Sequence, residues 1–317
     1  LQGRDRDGES IGATHAHLAG TGLVVDAALP PVDAVFLALP HGMAARLVPE
    51  VLAEGTAVID LGPDFRLRAA ADYPRWYGFE HPEPALLDAA VYGLPELHRP
   101  ALEALRTNPR AIVGSPGCYP TATLLALAPL ARAGLIGDLV VDAKSGVSGA
   151  GRDPKPEMMF GEVNESVKAY GVGGHRHVAE IEQELAGLGA AAGATNPGAA
   201  DVDFLPHLVP MTRGILSAGH VRPTRPTSQA ELDDLYGAAY ADEPFVTVVG
   251  AAPATKHVLG SNHARVFVHH DDRTGRILAI GVIDNLVKGA AGQAIQAFNV
   301  VHGLAETAGL EQLPLAP

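Results

Sequence analysis

The feature that most constrains the fold is a series of short, mostly apolar runs with a helical pattern between them. Ala34 to Leu39, Val58 to Gly62 and Ala111 to Val113 are such runs, and Met43 to Leu52 has apolar residues at helical spacing. Strands without polar alternation are buried on both faces, as in parallel sheets covered by helices. The first part of the chain is therefore predicted to be α/β with a parallel sheet, whose ligands bind at the carboxyl ends of the strands.

After Cys118 the pattern changes to longer β-type stretches with few helices between them. The predicted strands are Leu139 to Ala143, Val202 to Val209, Gly214 to Val221, Phe245 to Val249, Arg265 to His269 and Ile277 to Ile283. The predicted helices are Thr121 to Ala133, Val178 to Leu188, one near Glu231 with a capping box formed by Ser228 and Glu231, and a last helix from about Ala290 to Leu304. This order predicts an α+β region with a largely antiparallel sheet. We expect residues 1–117 with 286–317 to form one domain and residues 118–285 the other.

Composition excludes several classes of protein. The chain has 317 residues, 47% of them hydrophobic, and a formal net charge of -13, which disfavours binding to nucleic acid or to an anionic membrane surface. No apolar run reaches transmembrane length, and the single cysteine fits a reducing compartment, so we expect a cytoplasmic protein. The pairs His15/His17 and His269/His270 lack a third ligand at recognisable spacing, so no metal is expected.

The single cysteine follows a strand and a Gly/Pro turn. Pro120 suits the first turn of a helix, which places Cys118 at or just before the helix N-terminus. There the helix dipole favours a thiolate, and free N–H groups can hold an oxyanion. A structural cysteine in a turn is the alternative that these residues leave open.

A second candidate segment runs from Tyr170 to Glu180. His175 and His177 flank an arginine at the opening of a helix, after a glycine-rich approach. Such an imidazole can serve as the proton carrier that a thiol nucleophile needs, and Glu180 can orient it. A polar helix start without chemistry is the alternative.

Three further segments carry weaker signals. The glycine/serine loop from Lys144 to Arg152 can bring backbone amides to a phosphate, with Arg152 adding charge, although such loops are often only turns. Arg66 follows a strand and can bind a carboxylate or phosphate, or form a surface ion pair. Asn285 and Lys288 precede the last helix and can face a cofactor, although Asn also suits helix capping.

Taken together, these segments resemble the N-acetyl-γ-glutamyl-phosphate reductases, which are NADP-dependent, semialdehyde-forming enzymes of arginine biosynthesis. The motifs occur in the family's order between Phe36 and Asn299 and are FLALPHG, IDLGPDFRL, YGLPEL, VGSPGCYPTATLLALAP, SGVSGAGR, HRHVAEI, GSN and IDNLVKGAAGQAIQAFN. Aspartate-semialdehyde dehydrogenases share the plan, but their motifs match less well. The resemblance implies a Rossmann-like NADP-binding domain, an α+β catalytic domain and a homo-oligomer, either dimer or tetramer.

The resemblance also implies a mechanism and a site. Cys118 attacks the acyl phosphate to form a thioester, which NADPH reduces to the aldehyde. The acid/base falls on His175, with His177 as the alternative, and Tyr170 and Glu180 match supporting residues. Positions that match the cofactor cleft are Leu39, Pro40, Ser145, Gly146, Ser148, Gly149, Ala150, Asn285 and Lys288. Arg66, Ser115 and Arg152 are the candidate residues for the small-molecule acyl phosphate substrate.

One departure concerns the start of the chain. The family opens with a strand, a GxSGYxG-type loop and a helix, and no such unit is found in LQGRDRDGES or the residues after it. Residues absent from this chain, a misplaced reading-frame start and a defective form are the three explanations. Because the phosphate loop belongs to that unit, we expect this chain to bind NADP poorly and the intact protein to bind it normally. Isothermal titration checks this expectation, and tight NADP binding by this chain would contradict it.

Three other functions stay open at this point. A sister reductase acting on an aminoadipyl phosphate of lysine biosynthesis would differ only in pocket size or charge. A non-catalytic remnant would not need Cys118, His175 and the SGVSGAGR loop. A cysteine hydrolase would leave the SGVSGAG and IDNLVKG segments without a role.

Overall fold

The computed structural model describes residues 6–151, 155–191, 193 and 201–315. The strands are β1 (Ala34–Leu37), β2 (Ala57–Asp60), β3 (Ala90–Tyr92), β4 (Ile112–Gly114), β5 (Ile136–Ser145), β6 (Lys168–Ala169), β7 (Val202–Leu208), β8 (Ile215–Pro223), β9 (Val246–Val248), β10 (Ala264–Asp271) and β11 (Arg276–Ile283). The α-helices are α1 (Ile11–Thr14), α2 (Met43–Ala53), α3 (Tyr73–Tyr77), α4 (Pro95–Glu103), α5 (Cys118–Arg132), α6 (Phe160–Val163), α7 (His177–Ala191), α8 (Gln229–Tyr240) and α9 (Gly292–Val301). Within these ranges no helix is long and apolar enough to cross a membrane.

The first sheet has four strands in the order β1-β2-β4-β3, and every neighbouring pair is parallel. The predicted Rossmann-like parallel sheet is thus confirmed. Its strands are short because each ends in a Gly/Pro turn. Gly114, at the end of β4, is one such position, since a Cβ there would lie 2.1 Å from the Phe65 carbonyl oxygen. The turns after β1, β2 and β4 therefore gather at one edge of the sheet.

The second sheet has seven strands in the order β6-β7-β5-β8-β11-β10-β9. Four neighbouring pairs are antiparallel, while β5–β7 and β9–β10 are parallel. The predicted largely antiparallel sheet is confirmed, with strand ends shifted by a few residues. The division into residues 1–117 with 286–317 and 118–285 stays a prediction, although α9 packs its Ala294, Ala297 and Val300 into one hydrophobic cluster with Ile59 of β2.

Helix α5 connects the two sheets and carries the cysteine at its first residue. All of residues 119–131 are buried, so the helix has no polar face. Such a helix must be covered all round, and α5 lies among α7, α8 and the seven-stranded sheet. Gly281 of β11 permits this approach, because a Cβ there would lie 2.3 Å from the Ala122 carbonyl oxygen.

Two local predictions need correction. Ser228 does cap α8, accepting a hydrogen bond from the Glu231 N–H at 3.3 Å, but the Glu231 carboxylate bonds to Arg225 and Thr227 instead of closing a capping box. The last helix is not a single α-helix, because a π-helical turn, Val287–Ala291, precedes α9. That turn moves Lys288 inward and brings Gly289 against Cys118.

Candidate active site

A cavity of about 330 Å³ lies at the start of α5. Seven of the residues predicted from sequence line it: Cys118, Ser145, Gly149, Ala150, Tyr170, His175 and His177. The structure therefore brings the cysteine, the histidine segment and the glycine/serine loop together around one space. Arg152 lies outside the described residues.

The backbone around Cys118 is packed so closely that Gly117, before it in sequence, and Gly289, against it in space, have no room for a side chain. A Cβ at Gly117, the residue before α5, would lie 2.6 Å from His177 Nε2. A Cβ at Gly289 would lie 2.8 Å from the Cβ of Cys118. The cysteine is thus held between the histidine segment and the π-helical turn, as a positioned nucleophile requires.

The surroundings of Cys118 act on its thiol in two directions. Burial raises the pKa of the thiol and is the largest cause, while Arg66 and the backbone N–H groups of Tyr119 and Cys118 lower the pKa. The predicted influence of the helix start is therefore present but does not outweigh burial, and a thiolate nucleophile at Cys118 stays a prediction.

Two imidazoles, each with a lowered pKa, line the same cavity as Cys118. The His175 and His177 ring centroids are 4.8 Å apart, and the His177 N–H donates to His175 Nδ1 at 3.2 Å, which leaves the His175 proton on Nε2. Burial, and then Arg176, lower the pKa of His175 to about 4. Burial also holds the pKa of His177 well below its usual range, with His175, Arg66 and Arg176 contributing. His177 Nδ1 is buried and has no partner among the described residues.

The Glu180 carboxylate lies beside the His177 ring and not beside the His175 ring. Its carboxylate is fully buried and lies 4.0 Å from His177 Nε2. It accepts hydrogen bonds from the Tyr77 and Tyr92 hydroxyls at 3.0 Å each, and from the Gly117 N–H at 2.9 Å. The carboxylate thereby ties the turn before Cys118 to the histidine helix.

Arg66 is an internal residue and not a surface ion pair. Only 10% of its side chain is exposed, and its Nη1 donates to Glu180 at 3.2 Å. Nε donates to the Ser115 carbonyl oxygen at 2.7 Å, and Nη2 to that of Leu61 at 2.9 Å. Ser115 is buried beside it, and its Oγ has no partner among the described residues. Substrate contact by Arg66 and Ser115 stays a prediction.

Comparison with known proteins shows the family of the chain. Residues 118–285 match a family model described as the semialdehyde dehydrogenase dimerisation domain, and residues 2–105 match the semialdehyde dehydrogenase NAD-binding domain. N-acetyl-gamma-glutamyl-phosphate reductase of Heliobacterium modesticaldum is 50% identical over 292 residues, covering 90% of this chain and 80% of the relative. The chain belongs to the N-acetyl-gamma-glutamyl-phosphate reductase family. The enzyme of that name from Halorhodospira halophila is 52% identical over 290 residues, with the same two coverages.

Solved structures of semialdehyde dehydrogenases share the fold of this reductase family member. Aspartate semialdehyde dehydrogenase II from Vibrio cholerae, complexed with ASA, superposes with a TM-score of 0.65 at 19% identity, covering 88% of this chain and 84% of the other. The Candida albicans aspartate semialdehyde dehydrogenase with NADP gives 0.64 at 15% identity, covering 92% and 84%. These structures show that the chain has the semialdehyde dehydrogenase fold, while its oxidoreductase class follows from the reductase relatives and the matched family models.

The loop predicted to contact the cofactor is held open by side chains of the reductase itself. Asn285 donates from Nδ2 to Ser148 Oγ at 3.0 Å and accepts the Gly214 N–H at 2.7 Å, so it shapes the loop and does not cap the last helix. A Cβ at Gly149 would lie 3.2 Å from Ser145 Oγ, in the cavity wall. A phosphate or a nicotinamide amide can approach a backbone closely only where no side chain intervenes, as at a glycine. This loop therefore fits the implied cofactor.

Other predicted cofactor residues lie away from the cavity lining. Leu39 and Pro40 follow β1, half-buried and exposed respectively, and Gly146 packs against the backbone of Met211. Lys288 does not face a cleft: it is fully buried, and Nζ donates to Glu96 Oε1 at 2.5 Å and Gln296 Oε1 at 2.6 Å. The π-helical turn points the Lys288 side chain toward α4, and a role of Lys288 at the cofactor stays a prediction.

Sequence reasoning missed several residues of the reductase cavity. The cations Lys155, Lys168 and Arg176 line it, and Tyr119 accepts a hydrogen bond from the Tyr170 hydroxyl at 3.1 Å. The sequence offers no clear signal for these cations, because Glu157, Glu162 and Glu165 lie in the same stretch and balance their charge. Within the cavity the three cations supply local positive charge for an anionic substrate.

Proposed function

We propose that this chain reduces N-acetyl-γ-glutamyl phosphate to N-acetylglutamate semialdehyde with NADPH, through a thioester on Cys118. The observation that carries the proposal is the shared cavity of a single thiol, two neutral imidazoles and a glycine/serine loop. A thiol alone, or a loop alone, would fit many enzymes. Their convergence fits reduction of an acyl group held on sulfur.

We place the acid/base on His177 in preference to His175. His177 Nδ1 is buried without a partner, its Nε2 lies near Glu180, and the ring contacts the turn before Cys118. His175 Nδ1 is already occupied by the His177 N–H, so His175 presents an Nε2–H donor to the cavity. The two rings therefore differ in what they can do: His177 accepts the thiol proton, and His175 donates a hydrogen bond to the substrate.

In the first half-reaction His177 takes the Cys118 proton, and the sulfur attacks the acyl carbon. The backbone N–H groups at the start of α5 stabilise the oxyanion, and phosphate leaves with the bonding electrons and the proton held by His177. For the second half, the glycine/serine loop would hold the nicotinamide cofactor, which would supply the hydride that reduces the thioester. Cleavage of the carbon–sulfur bond would release the aldehyde and leave a thiolate on Cys118, which regains a proton from solvent.

His177→Gln and His175→Gln should separate these roles. We expect His177→Gln to lower kcat by about a hundredfold or more, because general-base assistance is lost. His175→Gln keeps a donor and should lower kcat by less, about tenfold. Stopped-flow measurement of thioester formation checks this, and a larger loss in His175→Gln would return the acid/base to that residue.

The proposal extends to the cofactor, the assembly and the location of the protein. We propose NADP and not NAD as the cofactor, and a homo-oligomer (dimer or tetramer) formed through the 118–285 region. We also propose action in the cytoplasm, where the single Cys118 thiol stays reduced. Initial rates with each nucleotide, and the mass in solution, are the direct measurements. The match to the NAD-binding family model supports a nicotinamide cofactor, and the match to the dimerisation family model supports an oligomer.

The test of the reaction is run in reverse on the protein with its native N-terminus, with N-acetylglutamate semialdehyde, phosphate and NADP, following NADPH absorbance. Phosphate-dependent NADPH formation would support the proposal, and omission of phosphate is the control, since an ordinary aldehyde dehydrogenase needs none. No NADPH with this substrate, but NADPH with the acetylated aminoadipate semialdehyde, would replace the substrate. No NADPH with either would overturn the reductase proposal.

A further inference from the structure

Arg176 occupies a place that the reaction described above does not use. It stands between the two histidines in sequence and lines the same cavity as Cys118. Its Nη1 lies 3.4 Å from Nε2 of His41, in the turn after β1. Arg176 therefore connects the histidine segment to the ligand-binding edge of the parallel sheet.

The charge of Arg176 is not neutralised in the way that the charge of Arg66 is. Arg66 forms an ion pair with Glu180 at 3.2 Å, whereas no ion pair joins Arg176 to an Asp or Glu within the described ranges. Arg176 itself is exposed, so water screens part of its charge, but the flanking His175 is half-buried and the flanking His177 is buried, so its field reaches them partly through protein. The two nearest proton-accepting groups on its own segment are His175 and His177.

Other charged and titratable groups also face these imidazoles. Those that line the cavity are Cys118, Tyr119, Lys155, Glu157, Lys168 and Tyr170. Behind His177 lie Arg66 and Glu180, whose charges oppose one another. Burial is the largest factor that lowers the pKa of both histidines, and Arg176 lowers both further, ranking second for His175. It also lowers the pKa of His41, again after burial.

We propose that Arg176 is a positioning residue whose unpaired charge keeps the flanking imidazoles neutral, so that His177 is ready to accept the thiol proton, while the contact of Arg176 with His41 holds their segment against the turn after β1. The inference rests on the proposed function, because it assigns Arg176 a part in that reaction. A neutral imidazole is the form that the first proton transfer needs. Without the cation, protonation of the imidazoles begins at higher pH.

Arg176→Met tests this through two pH profiles. The first is kcat/KM of the reductase, and the second is the rate of iodoacetamide alkylation of Cys118, which is the only thiol in the chain. We expect the acid limb of both profiles to move to higher pH by roughly half a unit or more, because removing a nearby positive charge favours the imidazolium. Arg176→Lys should keep both limbs near their wild-type positions. Arg225→Met, at an exposed ion pair with Glu231 on α8, is the matched control and should move neither.

The outcomes separate the inference from the proposed function. Lower rates at every pH with unmoved acid limbs would overturn the inference, since a merely structural arginine acts that way. If no reductase activity is found but the alkylation limb moves, the inference on the imidazoles stands and the reaction does not. If Arg176→Met fails to fold, Arg176→Gln is measured in the same two assays, with the same expected shift and the same contrary result.

Discussion

Cys118→Ala abolishes the reductase activity and leaves the folded protein intact. We expect kcat to fall by about a thousandfold or more, because the covalent intermediate has no other sulfur on which to form. The residue is half-buried and makes no side-chain hydrogen bond that the helix needs, so the free energy of unfolding should change by less than about 1 kcal/mol. Steady-state rates in the reverse direction and urea denaturation measure the two quantities.

Cys118→Ser is the matched control for shape. The serine hydroxyl has nearly the volume of the thiol but is a much weaker acid. The kcat of the serine variant should therefore fall almost as far as that of the alanine variant. Mass spectrometry of the wild-type protein after mixing with acyl phosphate alone should detect the acyl adduct, which both variants lack. An alanine variant that keeps more than about a tenth of the wild-type rate would exclude the thioester mechanism.

Glu180→Gln produces the largest expected loss of stability. Its carboxylate is fully buried and paired with Arg66, so the amide leaves a buried guanidinium without its counter-charge. Breaking a buried ion pair in this way costs about 3–5 kcal/mol. The amide must also meet two tyrosine hydroxyls and the Gly117 N–H with one acceptor oxygen in place of two. A lower urea midpoint with an unchanged m-value is the expected measurement.

Glu231→Gln is the matched control for this substitution. Its carboxylate also binds an arginine, Arg225, but on an exposed surface where solvent screens the pair. We expect its urea midpoint to stay close to that of the wild type. The alternative interpretation of Glu180, that it acts only on His177, would be favoured if Glu180→Gln lost activity while keeping its full stability.

The sequence was most informative where one short segment contains the whole signal. Cys118 could be placed at a helix start because a strand, a Gly/Pro turn and a helix pattern follow one another within a few residues. The two sheets were predicted from the same kind of local pattern, namely strand burial and the spacing of helices. The elements that were predicted correctly are those whose sequence pattern is contained within about ten consecutive residues.

The errors arise where the decisive partner is far along the chain. Arg66 meets Glu180 across 114 residues, and Lys288 meets Glu96 across 192, so neither partner could be inferred from neighbours in sequence. The helix start, whose N–H groups lower the pKa of Cys118, is visible in the sequence, whereas the burial that raises this pKa is not. Arg176 has the same kind of distant partner, since its contact with His41 spans 135 residues.

The close packing of Gly117 and Gly289 around the cysteine has a consequence for the protein when it is damaged. These contacts come from the helix start and from the far end of the chain, and they exist only when both sheets are in place. Local opening would release the sulfur into water, remove the burial that raises its pKa, and expose a thiolate to oxidants. Sulfenic acid at Cys118 would then identify the molecules that have opened. Because the chain has no second cysteine to form a disulfide with it, only a thiol from another molecule could reduce it.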